Sequence, residues 1–404
     1  MAQNEDVQKW FKEVMSKIIE KLELDVDKVQ YELLKSNDRA MTTIHFVLLQ
    51  FENKTRGENK ELSIVLKRPL QGYLGEYTIR PEFQFNNEIL FYQMYARPDE
   101  NYARCIYAKK QPLSDTVIVL EDVTKREYHP CPHQYRAPLE YTLAVIREMG
   151  RFHGKGYAMK KLQPEKFFDI VSRLQEVKYL RKTPNIYIHL CNINSPRAVE
   201  YLRRQGYDTV FCDKMEAILS NAFDEVMMKT VERPLEPLST LCHGDFTLDN
   251  CLFRTKDDGQ IRAMPIDFAF FRYSTPVVDL STYLLLHCSQ LRKERFFEIM
   301  RAYHEELKKY LLEAGVWDIK KYSYEAILED YRKGALFGFV IASYHVPLLL
   351  GCRKPDTLRG EIVRMGMVKY LEHHKYDGGD KVCKILADTL LHLKDLGCLK
   401  HMLE

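Results

Sequence analysis

The sequence predicts an α+β protein with a small amino-terminal lobe, built on an antiparallel sheet and one helix, and a larger, mostly helical carboxyl-terminal lobe. Three observations lead to this prediction. Segments rich in β-formers lie before residue 122, helical patterns dominate from residue 139 onward, and one β-hairpin interrupts those helices between residues 250 and 268. We therefore expect two lobes, residues 1–122 and 123–404.

The amino-terminal lobe begins with an amphipathic pattern. Apolar residues recur at steps of three and four across residues 7–22, which predicts a helix that packs on the body of the protein. Residues 42–51 and 62–67 are rich in apolar and β-branched side chains and predict a hairpin. A helix over residues 83–95 and a buried strand over residues 116–120 complete this lobe.

The larger lobe is predicted from helical periodicity. Four helical patterns cover residues 139–153, 164–180, 195–205 and 213–230. His153 is expected to close the first of them as a packed residue. A final helix is expected to end near Leu396, because Gly397 suits a carboxyl-terminal cap.

The predicted hairpin brings together the polar residues of greatest interest. Its strands are residues 250–254 and 261–268, and Asp258-Gly259 is a good turn signal between them. An antiparallel pair with this turn places its outer ends side by side. Asn250 and Asp267 are therefore expected to be close, and Asp245 lies in the loop that enters the hairpin.

These residue types suit phosphoryl transfer from ATP. Magnesium prefers carboxylate and amide oxygens, and a carboxylate beside an acceptor hydroxyl can orient it and take its proton. A cation must also hold the phosphates. Lys67 ends an apolar strand and Glu88 lies on the following helix, so they are candidates for that cation and its partner. The alternatives are a surface lysine beside Arg68 and an exposed helical glutamate.

Composition excludes several other classes of protein. The 404 residues are 46% hydrophobic and 29% charged, as in soluble globular proteins, and the net charge is only +3 without a long run of one sign. A nucleic-acid partner is therefore not expected. The 10 cysteines are scattered, the amino terminus does not resemble a secretory signal, and no apolar stretch reaches the roughly 18 residues of a membrane span. We expect a cytoplasmic protein with free thiols.

The motif His243-Gly-Asp245-x-x-x-x-Asn250, followed by Ile266-Asp267-Phe268, resembles the signature of the aminoglycoside phosphotransferase and choline kinase superfamily. Within it, the chain resembles the ecdysteroid kinase-like family of arthropods and nematodes. Supporting features are Lys67, the run at residues 85–92, the strand end at residues 120–122, and residues 272–280. The resemblance extends from about residue 30 to about residue 350.

The resemblance implies a protein-kinase-like bilobal fold that uses ATP and Mg²⁺. By this resemblance, Asp245 is the catalytic base, Asn250 and Asp267 bind magnesium, and Lys67 contacts the ATP phosphates and pairs with Glu88.

The same resemblance implies further roles. Glu121, Asp122 and Val123 are expected near the hinge that receives adenine, while His243 and Asp279 support the catalytic loop. The implied acceptor is a small hydroxylated molecule, such as an ecdysteroid, another steroid-like alcohol or a xenobiotic alcohol.

Two departures from the family pattern leave alternatives open. The expected phosphate-covering loop, residues 36–43 (SNDRAMTT), contains no glycine, and Ala269 stands where the family commonly carries glutamine. A catalytically silent pseudokinase that binds a ligand or partner is one alternative, and a choline- or ethanolamine-type kinase is another. A protein Ser/Thr kinase is disfavoured, because Phe268-Ala269 replaces Phe-Gly and no Ala-Pro-Glu element follows. The sequence does not indicate an oligomeric state.

Overall fold

The computed structural model describes residues 2–38, 42–52, 58–70, 80–110, 112, 115–133, 135–181, 184–232, 236–288, 293–352, 361–362 and 364–404. Within these residues the chain forms two compact units. The first ends at His129, and Pro130–Glu404 belongs to the second. The lobe boundary expected between residues 122 and 123 stays a prediction.

The first unit is built on a five-stranded antiparallel sheet in the order β1-β2-β3-β5-β4. Its strands are β1 (Val29–Asp38), β2 (Thr42–Glu52), β3 (Asn59–Pro69), β4 (Cys105–Lys109) and β5 (Val117–Glu121). The predicted hairpin corresponds to β2 and β3, and the predicted buried strand to β5. Because the side chains of β1 are mostly exposed, it lacks the apolar pattern that marked the other strands.

Two helices accompany this sheet, α1 (Ala2–Lys21) and α2 (Pro81–Leu90). Trp10, Met15 and Ile18 of α1 join the buried cluster that includes Val47 and Leu66 of the sheet. The amphipathic pattern at the amino terminus is therefore explained by packing. The helix predicted over residues 83–95 is α2 followed by a π-helical turn, Phe91–Tyr95.

Helices make up most of the second unit. They are α3 (Leu139–Leu162), α4 (Pro164–Arg173), α5 (Ile186–Asn194), α6 (Arg197–Arg204), α7 (Thr209–Leu219), α8 (Lys229–Glu232), α9 (Val277–His287), α10 (Lys293–Glu313), α11 (Ile319–Tyr322), α12 (Tyr324–Gly334), α13 (Leu336–Leu349), α14 (Met367–His373), α15 (Gly379–Asp395) and α16 (Lys400–Leu403). The remaining strands are β6 (His129–Pro130), β7 (Thr240–Cys242), β8 (Cys251–Thr255), β9 (Ile261–Pro265) and β10 (Arg272–Ser274).

The first predicted helix of this unit is longer than expected. The pattern over residues 139–153 corresponds to α3, which continues to Leu162, so His153 lies inside the helix and does not close it. Glycine lowers intrinsic helix propensity, but packing outweighs that cost here. A Cβ at Gly150 would lie 2.7 Å from the Tyr303 carbonyl oxygen of α10, so glycine permits the close approach of the two helices.

The segment after α4 departs from the predicted helix over residues 164–180, because α4 ends at Arg173. The Glu176 carboxylate accepts hydrogen bonds from the N–H groups of the three residues that follow it, at 3.0, 2.9 and 2.9 Å. Backbone donors that bind a nearby side chain cannot complete helical hydrogen bonds. Residues 174–181 therefore form a non-helical segment, held in place by Glu176.

The remaining helical predictions hold in outline. The pattern at residues 195–205 is α6, while that at residues 213–230 is divided among α7, a π-helical turn and α8. The helix predicted to end near Leu396 is α15, which ends at Asp395, and Gly397 adopts φ +78°, as its capping role requires. It is not the last helix, because the short helix α16 follows it. The cysteines, all within the described residues, are free thiols. None of the described helices has both the length and the apolar character needed to cross a bilayer.

Strands β8 and β9 form the predicted hairpin. They pair antiparallel, with Cys251 opposite Pro265 and Thr255 opposite Ile261. Gly259 adopts φ +78° in the turn, a conformation that glycine reaches without strain. A five-stranded antiparallel sheet with one inserted helix, followed by a helical unit that carries this hairpin, is the protein-kinase-like fold that the sequence predicts.

Helix α9 occupies the centre of the second unit, where every residue from Val277 to His287 is buried. Helix α13 packs against it through Gly338. A Cβ at Gly338 would overlap the backbone of Ser281, and backbone atoms cannot yield as a flexible side chain can.

Gly338→Ala is therefore expected to destabilise the protein by about 1–3 kcal/mol, the usual range for overpacking. Alanine favours a helix over glycine by about 1 kcal/mol, so propensity alone predicts the opposite sign. Urea unfolding measures the change. The matched control is Gly154→Ala, also in a helix, where the added methyl meets only the Tyr310 side chain at 3.1–3.3 Å. Equal stability of the two variants would contradict this account of the α9–α13 contact.

Candidate active site

The loop between β7 and β8 turns sharply at Gly244. Gly244 has φ +80°, and a Cβ there would overlap the carbonyl oxygen of Phe270. Only glycine satisfies both the left-handed backbone and this close approach. The preceding residue, His243, is fully buried, and its Nε2 lies 2.9 Å from the Ile266 carbonyl oxygen, to which it donates. The loop is thus fixed to the chain that follows β9.

Asp245 and Asn250 are in direct contact. Asn250 Nδ2 donates to the Asp245 carbonyl oxygen at 2.8 Å and to its carboxylate at 3.1 Å. The Ile266 N–H donates to the Asn250 carbonyl oxygen at 2.9 Å, which places the next residue, Asp267, beside Asn250 along the backbone. Asp267 adopts φ +64°, an unusual conformation for a residue other than glycine and one that is concentrated at functional sites.

The first turn of helix α9 holds the loop through Asp279. One carboxylate oxygen of Asp279 accepts the His243 N–H at 2.7 Å, and the other accepts the Gly244 N–H at 2.8 Å. His153 Nε2 of α3 lies 3.1 Å from the same carboxylate. Burial raises the pKa of Asp279, but hydrogen bonding from His153 and the nearby imidazole of His243 outweigh burial and hold the pKa below its usual value.

The last turn of α9 holds the loop a second time, through a residue that sequence reasoning missed. His287 Nε2 accepts the Leu248 N–H at 3.0 Å, and its Nδ1 donates to the Tyr135 carbonyl oxygen at 3.2 Å. Burial lowers the pKa of His287 to about 4, so the ring is neutral near pH 7 and can accept this bond. Eight residues of helix separate Asp279 from His287, about 12 Å. One rigid helix therefore fixes both ends of the loop.

Lys178 is the second residue that sequence reasoning missed. Its ammonium lies 2.5 Å from Asp245 Oδ1 and 3.6 Å from the centroid of the Phe270 ring, and only 7% of its side chain is exposed. Lys178 belongs to the segment held by Glu176, and its carbonyl oxygen accepts a hydrogen bond from Asn185 at 3.0 Å. No local motif surrounds it, because its partners lie far along the chain.

The Asp245 carboxylate is therefore held from two sides. Burial raises its pKa, but the Lys178 ammonium outweighs burial and keeps the pKa below the usual value. The Asp245 side chain remains 26% exposed, so a small molecule can reach it. His345 of α13 lies near this carboxylate, and burial lowers the pKa of His345 to about 4, so its imidazole is uncharged near neutral pH.

Lys67 and Glu88 form a buried ion pair in the first unit. Lys67 Nζ donates to the two Glu88 carboxylate oxygens at 2.8 and 2.6 Å, and the side chains are 9% and 2% exposed. Lys67 lies on the central strand β3, opposite Ile44 and Ile118. The pairing expected of these two residues is present, and the surface alternatives for both are wrong.

The segment Glu121 to Val123 has its side chains engaged locally. Glu121 pairs with Arg126 at 2.7 Å, and Asp122 accepts the Thr124 N–H at 3.0 Å as the cap of a short 3-10 helix. Val123 is buried. These side chains hold the backbone of the segment, and their expected place near adenine stays a prediction.

The glycine-free stretch at residues 36–43 is described only in part. Residues up to Asp38 belong to β1 and residues from Thr42 belong to β2, so the connection at residues 39–41 lies outside the described residues. Ala269 is buried two residues after Asp267.

The sequence matches the profile of a known protein family. The profile of the ecdysteroid kinase-like family matches residues 36–316, well over half of the chain. Among curated proteins, none matches the chain significantly.

Solved structures with detectable similarity include an aminoglycoside phosphotransferase in complex with GDP and kanamycin, at 14% identity and a TM-score of 0.44, covering 94% of this chain and 99% of that one. Plasmodium vivax ethanolamine kinase has 10% identity and a TM-score of 0.43, covering 92% of this chain and 85% of that one. A second aminoglycoside phosphotransferase, a thermostable mutant with ADP and hygromycin B, has 12% identity and a TM-score of 0.34, covering 92% and 97% of the two chains.

Proposed function

The chain belongs to the ecdysteroid kinase-like family, and on this premise we propose that it transfers the γ-phosphoryl group of ATP to a hydroxyl of a small molecule. The observation that carries the proposal is the loop at residues 243–250. It holds a partly exposed carboxylate, Asp245, against the amide of Asn250 and the ammonium of Lys178. Pre-arranged charge and position supply most of the catalysis of phosphoryl transfer.

In the proposed reaction, Asp245 accepts a hydrogen bond from the acceptor hydroxyl and directs its oxygen toward the γ-phosphorus. As the new O–P bond forms, the hydroxyl proton passes to the Asp245 carboxylate, and ADP leaves with the electrons of the bond that breaks. Because Lys178 lowers the pKa of Asp245, the carboxylate is a weak base. It acts mainly by orienting the hydroxyl, and it takes the proton late.

The residues near Asp245 fit the Mg²⁺ that this reaction needs. Asn250 turns its Nδ2 toward Asp245, which leaves Oδ1 as its metal-ligating atom, and Asp267, two residues beyond the end of β9, adds a carboxylate. Magnesium is bound by such oxygens together with substrate phosphates. When bound, it would offset charge that develops on the phosphoryl oxygens. The strained backbone of Asp267 supports a role that fixes the direction of its side chain.

The first unit is proposed to hold the nucleotide. Lys67 would contact the ATP phosphates, with Glu88 fixing its ammonium, and the backbone of Glu121 to Val123 would lie along the adenine. The buried ion pair supports this proposal, because both Glu88 oxygens hold the Lys67 ammonium in a fixed position.

The acceptor is proposed to be an ecdysteroid, another steroid-like alcohol or a xenobiotic alcohol, in keeping with the family. The enzyme is proposed to act in the cytoplasm. A pseudokinase is the second candidate function, and Ala269 with the glycine-free residues 36–43 favours it.

One experiment distinguishes the two. Purified protein is incubated with ATP, Mg²⁺ and a panel of steroid, phenolic and amino-alcohol acceptors, and phosphorylated products are detected by mass spectrometry. We expect phosphate transfer and magnesium-dependent ATP binding. Asp267→Ala is expected to lose the magnesium-dependent part of the ATP affinity, measured by calorimetry with and without the metal. Absence of both transfer and magnesium-dependent binding in the unsubstituted protein would reject the kinase and leave the pseudokinase.

A further inference from the structure

Lys178 places a positive charge next to the carboxylate that would receive the acceptor hydroxyl. We propose that this ammonium selects against acceptors that carry a positive charge near the reacting hydroxyl, so that the enzyme phosphorylates uncharged alcohols and discriminates against amino alcohols. This inference rests on the proposed function. It assigns the discrimination to one residue of this chain.

Lys178 has a fixed position. Glu176 accepts three consecutive N–H groups of the segment, and its other carboxylate oxygen pairs with Arg272 at 3.1 Å. The Arg272 guanidinium in turn stacks over Tyr179, 4.8 Å from the ring centroid. The ammonium itself lies between Asp245 and the face of Phe270. Contacts on both the backbone and the side chain make this a built feature of the site.

The Lys178 ammonium also lies close to the expected position of the acceptor hydroxyl. An acceptor hydroxyl that hydrogen-bonds to Asp245 lies about 3 Å from the carboxylate, and Lys178 lies 2.5 Å from one oxygen of the same group. The ammonium is then roughly 5 Å from the reacting oxygen. In an amino alcohol such as choline, the positive nitrogen lies within a few ångströms of the hydroxyl. The two positive charges are therefore brought within about 5–8 Å of each other.

The groups that surround Lys178 do not compensate a second positive charge. Glu176 is engaged by Arg272 and by backbone N–H groups, and His345 is uncharged near neutral pH. Asp245 is already paired with Lys178. The other carboxylate near Asp245, that of Asp267, is assigned to Mg²⁺ in the proposed function, so it does not compensate a second cation. At an effective dielectric constant near 20, repulsion from Lys178 alone over 5–8 Å corresponds to roughly a 30- to 300-fold loss in binding. The opposite charge of Asp245 offsets part of this repulsion, which leaves roughly a 10- to 100-fold loss.

The test compares choline with dimethylbutanol, its uncharged isostere in which carbon replaces nitrogen. Each is assayed as a substrate and as a competitor of the best acceptor in the panel. For the unsubstituted enzyme, we expect the isostere to be preferred at least 10-fold in kcat/KM or in inhibition constant. Lys178→Met is expected to shift the ratio toward choline by roughly 10- to 100-fold, because it exposes the Asp245 carboxylate. Lys178→Arg keeps the charge and is expected to keep the preference.

The ratio is informative because a general loss of activity lowers both values and leaves it unchanged. If Lys178→Met has no turnover, the inhibition constants of the unsubstituted enzyme still decide, since equal inhibition by the two compounds overturns the inference. An unchanged ratio in an active Lys178→Met enzyme also overturns it. If the unsubstituted protein phosphorylates no acceptor, the proposed function fails first and this inference fails with it.

Discussion

Asp245→Asn is expected to lower the rate of phosphoryl transfer by about 10²- to 10⁴-fold, the usual contribution of a positioned general base. ATP affinity is expected to change little, because the proposed phosphate contacts belong to Lys67 and the proposed metal ligands are Asn250 and Asp267. Single-turnover rates and calorimetric ATP titration measure the two quantities separately.

The matched control is Asp249→Asn, which removes a carboxylate from an exposed position in the same loop. It is expected to retain nearly full activity. Similar rates for Asp245→Asn and the unsubstituted enzyme would remove Asp245 from the reaction, while similar losses in both variants would indicate a general disturbance of the loop.

Asp245→Asn is expected to lower the stability of the folded protein as well as the reaction rate. Asp245→Asn leaves the buried Lys178 ammonium without its carboxylate, and an uncompensated buried charge is costly. Adding Lys178→Met to Asp245→Asn is expected to recover part of the lost stability without restoring turnover. Full additivity of the two substitutions in urea unfolding would contradict a direct interaction between these side chains.

Asp279→Asn is expected to have the largest effect on folding, destabilising the protein by about 3 kcal/mol or more. The carboxylate accepts hydrogen bonds from two backbone N–H groups of the loop and contacts His153, all in a fully buried position. An amide cannot accept with both of its terminal atoms, so at least one buried donor loses its partner. Asp388→Asn, at an exposed surface pair with Lys384, is the control, with an expected change within about 0.5 kcal/mol.

The effect of Asp279→Asn should depend on pH in one direction. The folded-state pKa of Asp279 lies below its ordinary value of 3.8. The stability from the ionised carboxylate is therefore fully present above the unfolded value and is lost as the pH falls through the lower folded value. The difference in unfolding free energy between the two proteins should be constant from pH 7 down to about pH 5 and should shrink below pH 4. A difference that grows in acid would show that Asp279 is not ionised in the folded protein.

Many local features of the fold could be predicted from the sequence. The β8–β9 hairpin followed from Asp258-Gly259 between two short strands, because turn type and strand alternation depend on adjacent residues. The proximity of Asp245 and Asn250 could be predicted as well, because only five residues and one loop separate them. Strand β1 was missed, because its exposed side chains carry no apolar signal.

The misjudged helices show where local patterns fail. The pattern over residues 164–180 has helical spacing, but Glu176 draws the following N–H groups away from the helix. Helix α3 continues past His153 because its glycines allow close packing against α10. This packing outweighs the low intrinsic helix propensity of glycine.

The sequence by itself determined which functional groups this protein carries. Asp245, Asn250 and Asp267 stand at spacings that one loop and one hairpin bring together. Lys67 and Glu88 lie on successive elements of the sheet unit. Only the tertiary structure decided which contacts hold these groups in position and which charges surround them. His287 and Asp279 grip the loop from a buried helix, and Lys178 reaches Asp245 from 67 residues away along the chain. Contacts at such separations depend on how helices pack, and the periodicity of a sequence reports which face of a helix is buried without reporting what it meets.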